Sequence, residues 1–261
     1  MAQQHLAASM PRDRMSPAEW AARVDLAACY RAVAHFGWDD LISTHISARL
    51  PDNPNHFLIN PFGLMFEEIT ASSLIKIDIE GNKIDDTSPY DINPAGYVIH
   101  SAIHAAVPDA HCVVHLHSPD GVAVSIMEDG LMALEQTSIG VRANLAFHEF
   151  EGPALNLEEQ ERLRRDLGTK HSMLLRNHGT LTVGSTIAEA FMRMYALERA
   201  CTTQVRALSA GQAGIHHPPD SAIADMARMT NRRSEILESY YSLAWAALLR
   251  MLDRKNPGYA E

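Results

Sequence analysis

The sequence predicts an α/β fold of three layers, a central mainly antiparallel or mixed sheet sandwiched between helices. Helical apolar spacing occupies both ends of the chain, and short β-like runs divided by turn residues lie between them. No repeat, low-complexity tract or Gly/Ser linker divides the 261 residues. One large domain is therefore expected over 16–252, with a mobile arm at 1–15 and a tail at 253–261.

The first helix opens at Ser16-Pro17-Ala18-Glu19, where a capping Ser, a Pro at the first helical position and a Glu three residues past the cap form a capping box. Apolar residues recur through Trp20, Val24, Ala27, Ala28 and Val33 until Gly37 ends it. From Leu41 to Ile92 the runs His56-Phe57-Leu58-Ile59 and Leu74 to Ile79 read as strands, punctuated by Pro-Asp-Asn-Pro, Asn-Pro-Phe-Gly and Glu-Gly-Asn turn chemistry. Helical spacing returns after Pro94 and ends by Pro108. A buried strand follows over Cys112 to His117, and Ser118-Pro119 starts a helix running to about Met127. Asn156 and Glu159 are expected to cap a helix reaching Leu167, and Met173 to Arg176 reads as a strand leading into Asn177-His178-Gly179. Thr186 with Glu189 caps a long helix to about Leu208, and 222–252 is again helical.

A formal net charge of −10 with no Lys/Arg block disfavours nucleic acid and anionic membrane as partners, because binding phosphates needs a positive surface. No apolar run of membrane-spanning length and no secretory h-region occur, so a cytoplasmic protein is expected. Cys29, Cys112 and Cys201 have no paired spacing and read as reduced, buried thiols. Phosphate-loop, dinucleotide and serine-hydrolase motifs are missing. The unusual feature is 14 His without a tag, which directs attention to metal binding or proton transfer.

His115 and His117 stand at i and i+2 of a strand and so project from one face, a few ångströms apart. A metal ion can bridge that pair; a solvated edge-strand face is the alternative. His178, at the exit of another apolar strand and directly before Gly179, is a third candidate ligand, or else a hydrogen-bonded strand-end residue. Three neutral imidazoles with an open position match a catalytic divalent-metal site.

The combination His115-Leu116-His117-Ser118 and Arg176-Asn177-His178-Gly179-Thr180-Leu181, with Gly184 and the helix behind it, resembles the class II aldolase/adducin family. Gly37 to Ile42, His45-Ile46-Ser47, Ile59 to Gly63 and Glu67 to Thr70 match its flanking motifs, and the resemblance covers about residues 17–210. It implies that His115, His117 and His178 hold a divalent ion, zinc first, with manganese, iron or cobalt as alternatives. It also implies substrate contacts at Ser47, Asn60 and Gly63, and a ring-shaped homotetramer. The apolar run Tyr240 to Met251 also points to assembly.

One departure matters most. Catalytic members carry Ser-Ser-Glu followed by three residues and a His; counting back from His100, this chain has Pro94-Ala95-Gly96. The carboxylate that serves there as ligand and base is absent, along with two hydroxyls that help hold phosphate. The Gly-Asn-x-Ser segment of the family reads Thr44-His45-Ile46-Ser47. His45 and His100 are the candidates for acid/base work. His104, one turn past His100, and the loop carboxylates Glu67 and Glu68 rank below them. The expected activity is a metal-dependent carbon–carbon lyase on a small non-phosphorylated hydroxy- or oxo-acid or carbonyl compound, by aldol cleavage or decarboxylation. The alternative is an adducin-like binding or scaffold protein without catalysis.

Overall fold

The computed structural model describes residues 12–84, 88–107, 109–153, 156–230 and 235–261. Helix α1 (Pro17–Phe36) begins at Ser16, whose side chain accepts from the Glu19 N–H. It ends at Gly37, whose φ of 69° is the left-handed cap that a residue without Cβ adopts freely. Strands β1 (His45–Arg49), β2 (Phe57–Ile59) and β3 (Ile75–Ile77) follow. The expected run to Ile79 stops two residues earlier, because the Asp78 carboxylate accepts from the Asn82 N–H at 2.8 Å and turns the chain. Next come α2 (Pro94–Ala106), capped by Asn93, then β4 (Cys112–Leu116) and α3 (Pro119–Ile126), capped by Ser118. Pro108, expected to end α2, lies outside the described residues.

Helix α4 (Gln136–Ala143) and strand β5 (Leu145–His148) were not expected. Helix α5 (Glu159–Leu167) has Glu158 at its N-cap and no side-chain cap, so it starts two residues later than expected and Asn156 accepts from the Glu158 N–H ahead of it. Strands β6 (Ser172–Leu175) and β7 (Gly179–Gly184) form a hairpin into α6 (Ile187–Leu208), whose N-cap is Thr186. Helices α7 (Asp220–Thr230) and α8 (Glu235–Lys255) complete the chain.

Among the described residues, seven strands lie in the order β3-β2-β1-β4-β7-β6-β5. Every pairing is antiparallel except β5 with β6. Ile46, Cys112, Val114 and Leu116 share one core with residues of α1, α3, α6 and α8. Val113, Met173, Leu175, Leu181 and Val183 face the other way, onto Ile99, Ala102 and Ile103 of α2 and Leu163 and Leu167 of α5. This is the expected three-layer α/β/α architecture with a mixed, mainly antiparallel sheet. Cys29, Cys112 and Cys201 are buried and free, and no described helix is long and apolar enough to cross a membrane.

The Tyr30 hydroxyl fixes β1 against β2. It accepts from the backbone N–H of Ile46 at 2.9 Å and of Asn60 at 3.1 Å, and donates to Asn60 Oδ1 at 2.8 Å. The expected tail is docked rather than free. Helix α8 runs past 252 to Lys255, Arg31 donates to Asn256 Oδ1 and the Pro257 carbonyl, and Tyr259 is 8% exposed. The backbone N–H groups of Ala71 and Ser72 donate to the carbonyls of Tyr259 and Glu261. A buried aromatic ring and satisfied backbone groups hold the segment where its composition suggested none. Of the expected arm at 1–15, only residues 12–15 are described, with the Arg12 guanidinium 5.0 Å from the Trp20 ring centre.

Candidate metal centre

Register sets the centre. In the antiparallel pairing of β1 with β4, His45 lies opposite His115, and on the far side of β4 His115 lies opposite Leu181 of β7. His117 follows β4 by one residue, and its ring centre is 4.8 Å from that of His115. His178 arrives through a tight hairpin in which Asn177 takes φ 55°, a left-handed conformation that Asn tolerates better than most residues. Gly179 then passes so close to β4 that a Cβ would stand 2.3 Å from the Leu116 carbonyl oxygen, which is why only glycine fits there. The His178 ring centre is 4.8 Å from both His115 and His117. One ligand nitrogen from each of the three lies within 4.8 Å of the others.

Partners of the rings define their tautomers. His115 Nδ1 is 2.9 Å from the Thr180 carbonyl oxygen, which can only accept, so Nδ1 carries hydrogen and Nε2 is bare. His117 Nδ1 likewise donates to the Asp40 carboxylate at 3.1 Å. The two Nε2 atoms face each other at 3.0 Å. With both rings neutral, that geometry opposes two lone pairs, and a cation between them relieves the repulsion. The separation is short enough for both nitrogens to reach one ion at the usual metal–nitrogen distance of about 2.0–2.1 Å. The donor set therefore fits a divalent ion bound through nitrogen, with carbonyl and carboxylate partners orienting the rings from behind.

Burial favours the uncharged forms of His115 and His178. Burial, then the neighbouring His178, His45 and His117 rings, hold the His115 pKa well below the ordinary imidazole value. Burial, followed by His117 and His148, pushes His178 down to about 4. Beneath the centre, the Glu198 carboxylate receives the hydroxyls of Ser118 and Thr180, the latter at 2.7 Å, and burial raises its pKa. It thereby ties the residue after His117 to the strand that follows His178.

His45 and His100, named separately from the sequence, meet in the fold. His45 Nδ1 and His100 Nε2 are 2.8 Å apart, both rings are buried, and Gly96 stands beside them. A Cβ on Gly96 would lie 2.8 Å from His45 Cδ2, so the His45 ring takes the space in front of that helix position. Ser47 and Asn60, expected substrate contacts, are both buried: the Ser47 hydroxyl is shared between His100 and His104, and Asn60 Oδ1 faces the Tyr30 hydroxyl. Gly63 is in an exposed turn at φ 127°, packed near Tyr90. Glu68 accepts from the Met65 N–H, within its own turn. Asp40, Thr180 and Glu198 were not singled out from the sequence. Asp40 and Thr180 lie inside the Gly37 to Ile42 and Arg176 to Leu181 motifs, whereas Glu198 sits in the long helix behind them.

Three imidazoles thus converge at the end of the central strand of an α/β/α layered protein, a candidate divalent-metal protein by its donor set. Residues 24–205 match the family model described as Class II Aldolase and Adducin N-terminal domain. The chain belongs to the class II aldolase and adducin family. It is 55% identical over 250 residues to a protein of Caulobacter vibrioides named "Putative aldolase class 2 protein", covering 96% of each. It is 43% identical over 189 residues to alpha-adducin of Rattus norvegicus, covering 72% of this chain and 26% of that protein. The crystal structure of an aldolase II superfamily protein from Pseudomonas syringae superposes with a TM-score of 0.91 at 48% identity, covering 97% of this chain and all of that one.

Buried rings with depressed pKa values make the metal-free protein acid-labile. His178 at about 4 and His104 at about 3 take up protons in the folded state only far below the ordinary imidazole value of 6.5. The unfolded chain binds those protons first, so the stability is complete above about pH 6.5 and is lost as pH falls towards 4. At about 1.4 kcal/mol per pKa unit, the loss is expected to reach several kcal/mol. Urea midpoints at pH 7, 5.5 and 4.5, at fixed ionic strength, should fall steadily; equal midpoints would contradict the burial of neutral rings.

Proposed function

We propose that this chain is a divalent-metal-dependent carbon–carbon lyase acting on a small non-phosphorylated hydroxy- or oxo-acid or related carbonyl compound. The observation that carries this reading is the opposition of the His115 and His117 Nε2 atoms at 3.0 Å, with His178 as third donor. A divalent ion there, zinc first, would act as a Lewis acid on a substrate carbonyl or hydroxyl. His115, His117 and His178 hold that position, while Thr180 and Asp40 fix two of the rings. No carboxylate stands at Gly96, which favours decarboxylation over a route that begins with proton abstraction by a carboxylate. The Ser47 hydroxyl is occupied by His100 and His104, which removes one donor for a phosphate and supports an unphosphorylated substrate.

A scaffold role is the second reading, favoured by the similarity to alpha-adducin and by the missing carboxylate. Metal content separates the two. Protein purified without chelator is expected to carry close to one divalent ion per chain, and Asp40→Ala should weaken zinc binding about 10–100-fold in a competition titration. Absence of zinc binding together with unchanged thermal stability on zinc addition would remove the lyase reading.

Gly96 provides a second test. Wild-type protein should be nearly inactive on sugar 1-phosphates, short of the roughly 10²–10⁴-fold that a base supplies. Gly96→Glu should weaken hydroxy- and oxo-acid binding measured by calorimetry, because even its Cβ displaces His45. Rapid sugar-phosphate cleavage, or unchanged acid affinity in the variant, would contradict the assignment.

Assembly follows from α8, where Tyr240 is 56% and Leu243 69% exposed. We infer a cyclic cytoplasmic homo-oligomer, a tetramer first, that covers this face. Light scattering at micromolar concentration should give a multiple of 28.8 kDa, and a monomer mass would overturn the inference.

A further inference from the structure

Five polar groups run from the foot of β4 to the metal centre in one unbroken hydrogen-bonded line. The Ala110 carbonyl lies 2.7 Å from His104 Nδ1, and His104 Nε2 lies 2.7 Å from Ser47 Oγ. Ser47 Oγ is 2.5 Å from His100 Nδ1, and His100 Nε2 is 2.8 Å from His45 Nδ1. All four side chains are buried, so water does not offer an alternative partner.

We propose that Ser47, His100 and His104 are positioning residues that fix the tautomer of His45, presenting its bare Nε2 beside the three-imidazole centre as an acceptor for a substrate hydroxyl.

The direction of every bond follows from one end. A carbonyl only accepts, so His104 Nδ1 carries hydrogen and, in the neutral ring, Nε2 is bare. The single Ser47 hydrogen is therefore given to His104 Nε2, and the Ser47 oxygen accepts from His100 Nδ1–H. His100 Nε2 is then bare and accepts from His45 Nδ1–H. His45 Nε2 is left without hydrogen, 3.2 Å from where a Gly96 Cβ would stand, in a ring whose centre is 5.0 Å from that of His115. Burial, the largest influence on all three rings, favours the neutral forms on which this reasoning rests.

An acceptor in that position distinguishes ligands by chemistry. A hydroxy-acid whose oxygen sits at the centre has a hydrogen to give to His45 Nε2, whereas an oxo-acid brings a second lone pair against it. The proposal rests on the lyase reading for this consequence alone; the tautomer itself is a property of the folded chain.

Nitrogen NMR of the full chain, labelled with 15N-histidine, tests it, with the His45 signals assigned by their loss in His45→Gln. In the wild type, Nδ1 of His45 should be the hydrogen-bearing nitrogen and Nε2 the bare one. His104→Leu removes the fixed end, which lets the Ser47 hydroxyl turn and donate to His100 Nδ1. Every bond then reverses, and the two His45 nitrogen signals should exchange character. His104→Gln, which keeps an acceptor for Ser47, should retain the wild-type pattern. Should His104→Leu fail to fold, Ser47→Ala cuts the line and should leave His45 as a mixture of both tautomers. Hydrogen on His45 Nε2 in the wild type would overturn the proposal, as would an unchanged His45 in His104→Leu or Ser47→Ala. Zinc titration of the same wild-type sample reports on the triad separately, so loss of the metal reading and loss of this one are distinguishable.

Discussion

The antiparallel pairing of β1 with β4 places His45 directly opposite His115, and most of the centre depends on that alignment. Successive strand residues point to opposite faces, so a slip of one residue would turn His45, Ser47 and His115 into the apolar layer under α1 and α6. Three features fix the strands on either side of this pair, β2 against β1 and β7 against β4. The Tyr30 hydroxyl joins Ile46 to Asn60, the Thr180 carbonyl accepts from His115, and the close passage of Gly179 over Leu116 fixes where β7 begins.

The layer between α2 and the sheet is consequently divided in two. Towards β6 and β7 it is an ordinary apolar core built from Ile99, Ile103, Met173 and Leu181. Towards β1 it is a file of imidazoles and a hydroxyl, buried as thoroughly as the leucines. Burying a polar group without a partner costs roughly 1–3 kcal/mol on mutational scales, so this half of the layer is tolerable only because its members satisfy one another. The same interdependence gives the file a direction that no single pair would have.

Helix boundaries were legible because capping is local chemistry: Ser16, Asn93, Ser118 and Thr186 each cap the helix their position suggested. The triad was legible for a similar reason, since strand alternation alone turns His115 and His117 towards each other. Strand β1 was harder to read. Both its faces are buried: Ile46 and Ala48 meet the apolar core while His45 and Ser47 turn to the histidines of α2, so the run shows no polar-outside alternation. Helix α4 begins at Glu135, an uncommon cap, and β5 is a short strand at the sheet edge, so neither carried a strong periodic signature. The orienting partners of the site, Asp40, Thr180 and Glu198, reach it from 77, 65 and 80 residues away in sequence. Spacing along the chain has no means of reporting contacts of that range.

The contact between Gly96 and His45 has a consequence for how such a site changes over time. A side chain at 96 and the imidazole at 45 claim the same volume, with 2.8 Å between the ring and the first added carbon. A carboxylate-bearing helix and an imidazole-bearing strand are thus alternative fillings of one space rather than independent choices. Moving between them by single steps passes through a form in which both compete for the space or neither fills it. The two positions should therefore be inherited as a pair, and the chemistry of the centre should switch between discrete states instead of drifting.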